Sequence, residues 1–277
     1  LRLRRWHVRR WRQPRSAPRA TSPLPPAAAA VSAPTLHRSR APGRRAAAVA
    51  VTVVVASLAL GIAHRPDGTT RITVLDVGQG DAILVEGGRG GRMLVDGGPD
   101  PDRLLVELDR RLPPWDRRLD IVILTHPHED HVAGLPLLLS RYRVGRLYES
   151  GMHGPGPGYA ALAAIVGPAA RPSSSRPSAA VLAAGARIGI DDISLRVLWP
   201  DPGGVPRDPP DAGRAINDVS IVLLGEVAGR RFLLTGDVED DVDPILAARG
   251  LPPIDILKVA HHGSATASSA AFLAGVR

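Results

Sequence analysis

Short apolar runs alternate with turns from residue 71 to the end of the chain. Runs of about four to eight β-branched and aliphatic residues between Gly, Pro and Asp indicate strands, and apolar positions at helical spacing indicate helices. We predict strands at residues 71–77, 82–88, 92–98, 120–126, 144–150, 186–190, 194–200, 220–227, 230–237 and 254–260. We predict helices at residues 101–112, 135–142, 159–166 and 242–250.

The order of these elements predicts the fold class. Strands predominate and helices interleave with them, which suits two sheets in a layered α/β domain over residues 70–277. The stretch GQGD at 78–81 lies between the first two strands. It lacks the pattern of a phosphate-binding loop, and no helix follows it, so we expect a hairpin turn there.

A longer apolar run at residues 46–64 has a different character. Its first 18 residues, 46–63, carry no charge, and roughly 20 apolar residues are needed to span a bilayer. Arginines directly before the run place the N-terminus in the cytoplasm by the positive-inside rule. We therefore predict a single span in the cell membrane, with the following domain outside the cytoplasm. A signal peptide fits less well because its charged region would be too long, and a buried core element is the other alternative.

Composition changes the picture at the N-terminus. Residues 1–45 are rich in Arg, Pro and Ala and cannot bury a core, so we predict a disordered tail. Because this tail holds twelve of the 35 basic residues and none of the 27 acidic ones, the rest of the chain has a net charge of −4. Charge alone therefore does not mark the domain as a nucleic-acid binder.

The stretch THPHEDH at 125–131 follows a predicted strand and is dense in metal-binding side chains. Because the chain has no cysteine, any metal must rest on His, Asp, Glu or Asn. His126 and His128 point to the same side of an extended backbone. Asp130 and His131, at the onset of a helix, point elsewhere and suit a second ion. A pair of ions roughly 3.5–4 Å apart activates water and stabilises a phosphoryl centre. Three other predicted strands also end in candidate ligands, which are Asp96, Asp237 and the pair His261 and His262.

These stretches together resemble a known family. HPHEDH matches the HxHxDH motif of the metallo-β-lactamase fold superfamily, and MLVDGG, LLTGD and LKVAHHGS resemble its other motifs. With LDVGQGDAILVE, they resemble the C-terminal hydrolase domain of the ComEC/Rec2 DNA-uptake proteins. The resemblance implies a four-layer αββα fold, which the transmembrane helix predicted at residues 46–64 precedes. Since the family continues beyond HHGS, the domain is expected to be truncated at its C-terminus.

The resemblance also implies a ligand set for two divalent ions, Zn²⁺ or Mn²⁺. The expected metal ligands are His126, His128, Asp130, His131, Asp237 and His261, with Asp237 bridging the ions. His261 is preferred to His262 because it directly follows the strand, and Asp96 is expected to lie beneath the site. Asn217 stands where the superfamily usually has another histidine, which favours a harder ion such as Mn²⁺ or a weakly held first metal.

The implied reaction is metal-assisted hydrolysis of a phosphodiester. Asp130 and Asp237 are the candidate catalytic residues, and Gln79, Asp81 and Ser264 are candidate substrate contacts. The implied partners are single-stranded or duplex DNA, the membrane and other components of a competence channel. Two alternatives stay open: an anchored hydrolase that acts on another ester or amide, and a non-catalytic domain associated with a channel.

Overall fold

The structure is a computed structural model that describes residues 43–166 and 178–276. The predicted tail at 1–45 and the irregular stretch after residue 166 lie almost entirely outside the described residues. By its contacts the chain separates into two units, Leu1–Thr52 and Val53–Arg277.

The apolar run near the N-terminus forms helix α1, Arg44–Ala63. Its 20 residues correspond to roughly 30 Å of helix, which is the thickness of the hydrocarbon core of a bilayer. None of its residues is buried. By length and composition, α1 is the one helix in the described part of the chain that could cross a membrane.

The first sheet contains six strands in chain order. They are β1 Arg71–Val74, β2 Ile83–Glu86, β3 Arg92–Val95, β4 Arg118–Ile123, β5 Arg143–Glu149 and β6 Ala179–Val181. The first three strands pair antiparallel, and from β3 to β6 the neighbours pair parallel. The predicted hairpin at GQGD is confirmed, because β1 and β2 pair antiparallel on either side of it.

The second sheet contains five strands in the order β11-β10-β9-β8-β7. They are β7 Arg187–Ile190, β8 Ile193–Trp199, β9 Val222–Val227, β10 Arg230–Leu234 and β11 Ile256–Lys258. Only the last pair, β10 with β11, runs parallel among these described strands. The carboxyl ends of β10 and β11 therefore meet at one edge, as do those of β3 and β4.

Seven further helices and one 3-10 turn complete the described chain. They are α2 Pro101–Asp109, α3 Glu129–Val132, α4 Leu135–Arg141, α5 Pro157–Val166, α6 Arg214–Asn217, α7 Asp243–Ala248, the turn His261–Gly263 and α8 Ala270–Gly275. The four helices predicted from the sequence are confirmed within a few residues at each end. The sequence patterns did not predict α6, α8 or the short strand β6.

The core confirms the four-layer arrangement. Alternate residues of β2, β3 and β4, such as Val85 and Met93, pack against the second sheet. The residues between them, such as Leu84, pack under α2, α4 and α5 on the other side. The outer face of the second sheet packs against α7 and α8 through Leu246 and Phe272. Because both faces are covered, these strands are continuous apolar runs in the sequence.

Candidate metal site

Polar side chains from both sheets converge where four strands end. Asp96 follows β3, the 125–131 stretch follows β4, Asp237 follows β10, and the histidine pair follows β11. Parallel neighbours bring their carboxyl ends to one edge, which is where binding sites of α/β folds gather. The two sheets thus contribute to one site.

Asp96 lies behind Thr125 and His131 and contacts both of them. The residue has a left-handed φ of 61° and is buried. One carboxylate oxygen accepts from the Thr125 N–H at 2.7 Å, and the other accepts from Thr125 Oγ1 at 2.8 Å. That second oxygen also lies 2.9 Å from His131 Nδ1. Burial raises the pKa of Asp96, although the neighbouring His131 counteracts this effect.

His131 is fully buried between two carboxylates. Its Nδ1 faces Asp96, and its Nε2 lies 3.1 Å from Asp237 Oδ2. Burial opposes protonation of this ring, but Asp96 and Asp237 outweigh burial and raise the pKa of His131 to about 10. A carboxylate behind Nδ1 is the usual support for a histidine that offers Nε2 to a metal.

Asp237 is buried and held from three sides. Its backbone N–H donates to Ser220 Oγ at 3.1 Å, and its Oδ2 faces two imidazoles, those of His131 and His262. Its Oδ1 lies 3.3 Å from the ammonium of Lys258. Burial alone would raise the pKa of Asp237, but its hydrogen bonds to the two histidines hold it well below the usual range.

Of the two late histidines, His262 is the one that faces the carboxylates of Asp130 and Asp237. Nε2 of His262 lies 3.1 Å from Asp237 Oδ2 and 3.4 Å from Asp130 Oδ2, and these hydrogen bonds, with one to Asp81, raise its pKa to about 11. His261 turns away, with its Nδ1 3.5 Å from Glu239 Oε1. The structure thus brings His262, and not His261, together with Asp130 and Asp237. Both residues have a left-handed φ, 47° and 52°, so their side chains do not alternate as they would along a strand.

Four side chains therefore form one group that could hold a metal ion: Asp130, His131, Asp237 and His262. Their ligand atoms all lie within 4.8 Å of one another. Two imidazole nitrogens and two carboxylate oxygens match the donors and the number of ligands that zinc takes. The residues present therefore fit a divalent ion.

His126 and His128 form a second pair beside this group. Nε2 of His126 lies 3.1 Å from Nδ1 of His128. Nδ1 of His126 lies 3.1 Å from the hydroxyl oxygens of Thr125 and Ser220, so a proton on Nδ1 would leave Nε2 free for an ion. Burial, together with nearby His131, lowers the pKa of His126 well below its usual value, which favours the neutral ring.

Asn217 lies at the end of α6 and is buried. Its Nδ2 donates to Glu239 Oε1 at 2.8 Å. Its Oδ1 is also buried and has no hydrogen-bond partner within the described ranges. A buried amide oxygen in this state is available to a hydrogen-bond donor or to an ion.

The three candidate substrate contacts have different surroundings. Gln79 is exposed on the hairpin turn, and Ser264 bonds Thr266 across 2.9 Å. Asp81 is buried and supports the site instead, because Oδ1 lies 3.4 Å from His262 Nδ1 and Oδ2 lies 2.6 Å from Lys258 Nζ. Its neighbour Gly80 leaves no room for a Cβ against the Asp130 carbonyl, so the turn packs directly on the histidine-rich stretch.

Residues that the sequence patterns missed complete the site. Lys258, Ser220 and Glu239 each contact a residue that was predicted. One signal was available for Lys258, since it is the single lysine in a chain whose other basic residues are all arginine. Ser220 and Glu239 lie close in sequence to Asn217 and Asp237, but they have no pattern of their own.

The chain is similar to known proteins over most of its length. The family model described as "Metallo-beta-lactamase superfamily" matches residues 75–274. "ComE operon protein 3" of Bacillus subtilis (strain 168) is 27% identical over 229 residues, 73% of this chain and 26% of that protein. "Recombination protein 2" of Haemophilus influenzae is 30% identical over 215 residues, 76% of this chain and 23% of that protein. The chain spans about a quarter of the length of these curated relatives.

The solved structures to which the chain is similar have low sequence identity. The metallo-beta-lactamase fold protein YhfI from Bacillus subtilis is 15% identical, with a TM-score of 0.44 over 68% of this chain and 69% of that chain. A metallo-beta-lactamase from Cronobacter sakazakii is 14% identical, with a TM-score of 0.45 over 74% of this chain and 86% of that chain.

Proposed function

The chain belongs to the metallo-beta-lactamase superfamily, and from this membership we propose that it is a membrane-anchored, metal-dependent hydrolase that cuts phosphodiester bonds of DNA. The observation that carries the proposal is the group of Asp130, His131, Asp237 and His262 at the junction of the two sheets. A bound divalent ion there would activate water and stabilise the negative charge that develops on phosphoryl oxygens.

The surrounding side chains prepare the site for that chemistry. Asp96 and Asp81 hold the Nδ1 sides of His131 and His262, so both rings present Nε2 to the same space. Asp237 has both oxygens engaged and suits a ligand more than a proton acceptor. Asp130 keeps 35% of its side chain exposed, which makes it the carboxylate of this group most open to water.

A second ion would rest on the other half of the site. His126 and His128 offer two imidazole nitrogens, and the unpartnered Oδ1 of Asn217 offers an oxygen. An oxygen in place of a third imidazole shifts preference toward harder ions, so we propose Mn²⁺ as readily as Zn²⁺ for this position. The two positions are thus unequal in their ligands.

The proposed substrate rests on the curated relatives. One is named for the ComE operon and the other for recombination, and both names support DNA as the substrate class. Helix α1 supports a place at the membrane, with the hydrolase domain outside the cytoplasm, where incoming DNA and other channel components would be met. The excess of acidic residues after position 45 requires the ions and local arginines to attract the phosphates.

Cleavage of end-labelled DNA by the full chain in detergent tests the proposal. We expect single-stranded or duplex DNA to be cut with Mn²⁺ or Zn²⁺ and to stay intact with a chelator. Asp130→Asn should abolish cutting, because it removes one of the ligand carboxylates. Asp192→Asn, on the exposed turn between β7 and β8, is the matched control and should keep full activity.

Two results would contradict the proposal in different ways. Hydrolysis of small nitrophenyl esters or amides without any cleavage of DNA would assign the site to another substrate class. Equally low metal content in the unaltered chain and in His131→Ala would show that the site does not hold metal, and would leave a non-catalytic domain.

A further inference from the structure

Lys258 ends strand β11 and points its ammonium into the site. Its side chain is 13% exposed. Four oxygens surround Nζ: Asp81 Oδ2 at 2.6 Å, Gly236 O at 2.8 Å, and Asp237 Oδ1 and Val259 O at 3.3 Å. An ammonium so removed from water is stable only when it is paired, so these contacts hold both partners in place.

The two carboxylates that contact Lys258 both also contact His262. Asp81 contacts the ammonium through Oδ2 and His262 Nδ1 through Oδ1. Asp237 contacts the ammonium through Oδ1 and His262 Nε2 through Oδ2. One ammonium therefore determines which oxygen of Asp237 faces the metal group and how the imidazole of His262 is oriented.

We propose that Lys258 is a positioning residue of the metal site, which fixes Asp81 and Asp237 so that His262 and one oxygen of Asp237 are presented to a divalent ion. The inference rests on the proposed function only in requiring that this group binds an ion. It does not require that DNA is the substrate.

Loss of the ammonium has two opposite physical consequences. Coulomb repulsion between an ammonium and a nearby cation would be removed, which strengthens binding of the ion. The orientation of Asp81, Asp237 and His262 would also be lost, and partners that orient ligands are typically worth about 10–100-fold in metal affinity. A positioning role therefore predicts weaker binding, whereas a role as a competing charge predicts stronger binding.

The absence of cysteine from the chain allows a chemical rescue. In Lys258→Cys the new thiolate is a single target for 2-bromoethylamine: its sulfur displaces bromide and forms one S–C bond, which rebuilds an ammonium of nearly lysine length. Iodoacetamide attaches a neutral amide by the same substitution and is the matched control. Both reactions are carried out on the metal-free full chain in detergent.

Titration with Co²⁺, followed by its visible absorption, gives the affinity and the coordination of the ion. We expect Lys258→Cys to bind Co²⁺ about 10–100-fold more weakly, with an altered spectrum. Aminoethylation should restore affinity and spectrum, and the neutral amide should restore neither. Affinity that is unchanged or raised in Lys258→Cys, or equal recovery with both reagents, would overturn the inference.

A second variant keeps the test decisive if Lys258→Cys does not fold. Asp81→Asn leaves the lysine in place and breaks one link, so it should also weaken Co²⁺ binding, and its effect should not add to that of Lys258→Cys. Arg230→Gln removes a positive charge from an exposed pair with Asp255 and should leave affinity unchanged. Normal Co²⁺ binding by Asp81→Asn would contradict the inference, whatever the outcome of the DNA cleavage assay.

Discussion

Two adjacent histidines after β11 have different surroundings, because the backbone directs their side chains to different partners. His262 faces Asp130 and Asp237, and His261 faces Glu239, although only one peptide bond separates them. We expect His262→Gln to lose most of its bound metal after dialysis, because one of the four ligands is gone. His261→Gln should keep its metal. Metal content by mass spectrometry of the two variants measures the difference.

These two variants control for each other, since they remove the same kind of side chain from the same turn. Retention of metal by His262→Gln together with its loss from His261→Gln would restore the expectation drawn from the sequence.

Metal affinity should depend on pH through the same rings. In the metal-free protein the pKa values of His131 and His262 are raised to about 10 and about 11, so both rings are protonated at neutral pH. An ion must displace these protons, so affinity should rise as pH rises, with up to about two protons released per ion between roughly pH 7 and 9. Calorimetry in buffers of different ionisation enthalpy counts the protons.

The sign of that dependence follows from the raised pKa values. Their contribution to the stability of the metal-free protein is fully present below the unfolded pKa of about 6.5 and is lost as pH rises through the folded values. Metal affinity that does not change with pH over this window would mean that the rings are neutral before the ion binds.

One close contact stabilises the pairing of strand β9 with strand β10. Gly225 lies opposite Phe232 in the register, and the Phe232 ring occupies the space that a Cβ at Gly225 would need. We expect Gly225→Ala to destabilise the protein by about 1–3 kcal/mol, because the ring is fully packed between the sheets. Denaturant unfolding of the full chain measures this change.

Gly189→Ala in β7 is the control for that prediction. Nothing lies within 4 Å of a Cβ built at Gly189, so its stability should change by less than about 0.5 kcal/mol. Equal destabilisation of both variants would mean that the loss of glycine itself, and not the contact with Phe232, determines the result.

The sequence predicted the elements whose apolar runs are long enough to show a strand or helix pattern. The ten predicted strands and four helices are all present, because both faces of each sheet are covered and the runs are uninterrupted. The elements α6, α8 and β6 are only four, six and three residues long. Contacts made by the rest of the fold determine such short pieces, and a local pattern does not.

Most residues of the candidate site could also be predicted from the sequence. The spacing in THPHEDH and the aspartates at strand ends identified most of its residues. The strand pattern favoured His261 over His262, whereas their orientation in the structure depends on two left-handed residues in succession, which such a pattern does not anticipate. Lys258 was visible as an isolated lysine, but its partners are more than twenty or more than a hundred residues away in the sequence.

For the molecule as a whole, the topology of α1 is open to a direct experiment. Because the chain has no cysteine, Asp192→Cys introduces a single thiol on an exposed turn of the hydrolase domain. We expect a membrane-impermeant maleimide to label it in intact cells, since the positive-inside rule places this domain outside the cytoplasm. Ser16→Cys, before α1, should be labelled only after permeabilisation. The reverse pattern would place the domain inside.

The four candidate ligands come from both sheets. Asp130 and His131 follow β4 of the first sheet, whereas Asp237 and His262 follow β10 and β11 of the second. An ion that joins His131 to Asp237 would close a loop of 106 residues. A covalent crosslink across about 100 residues is worth about 4–5 kcal/mol by chain entropy. In a protein without a single thiol, the ion would thus link the two sheets reversibly, and the stability of the folded chain would depend on the concentration of divalent metal.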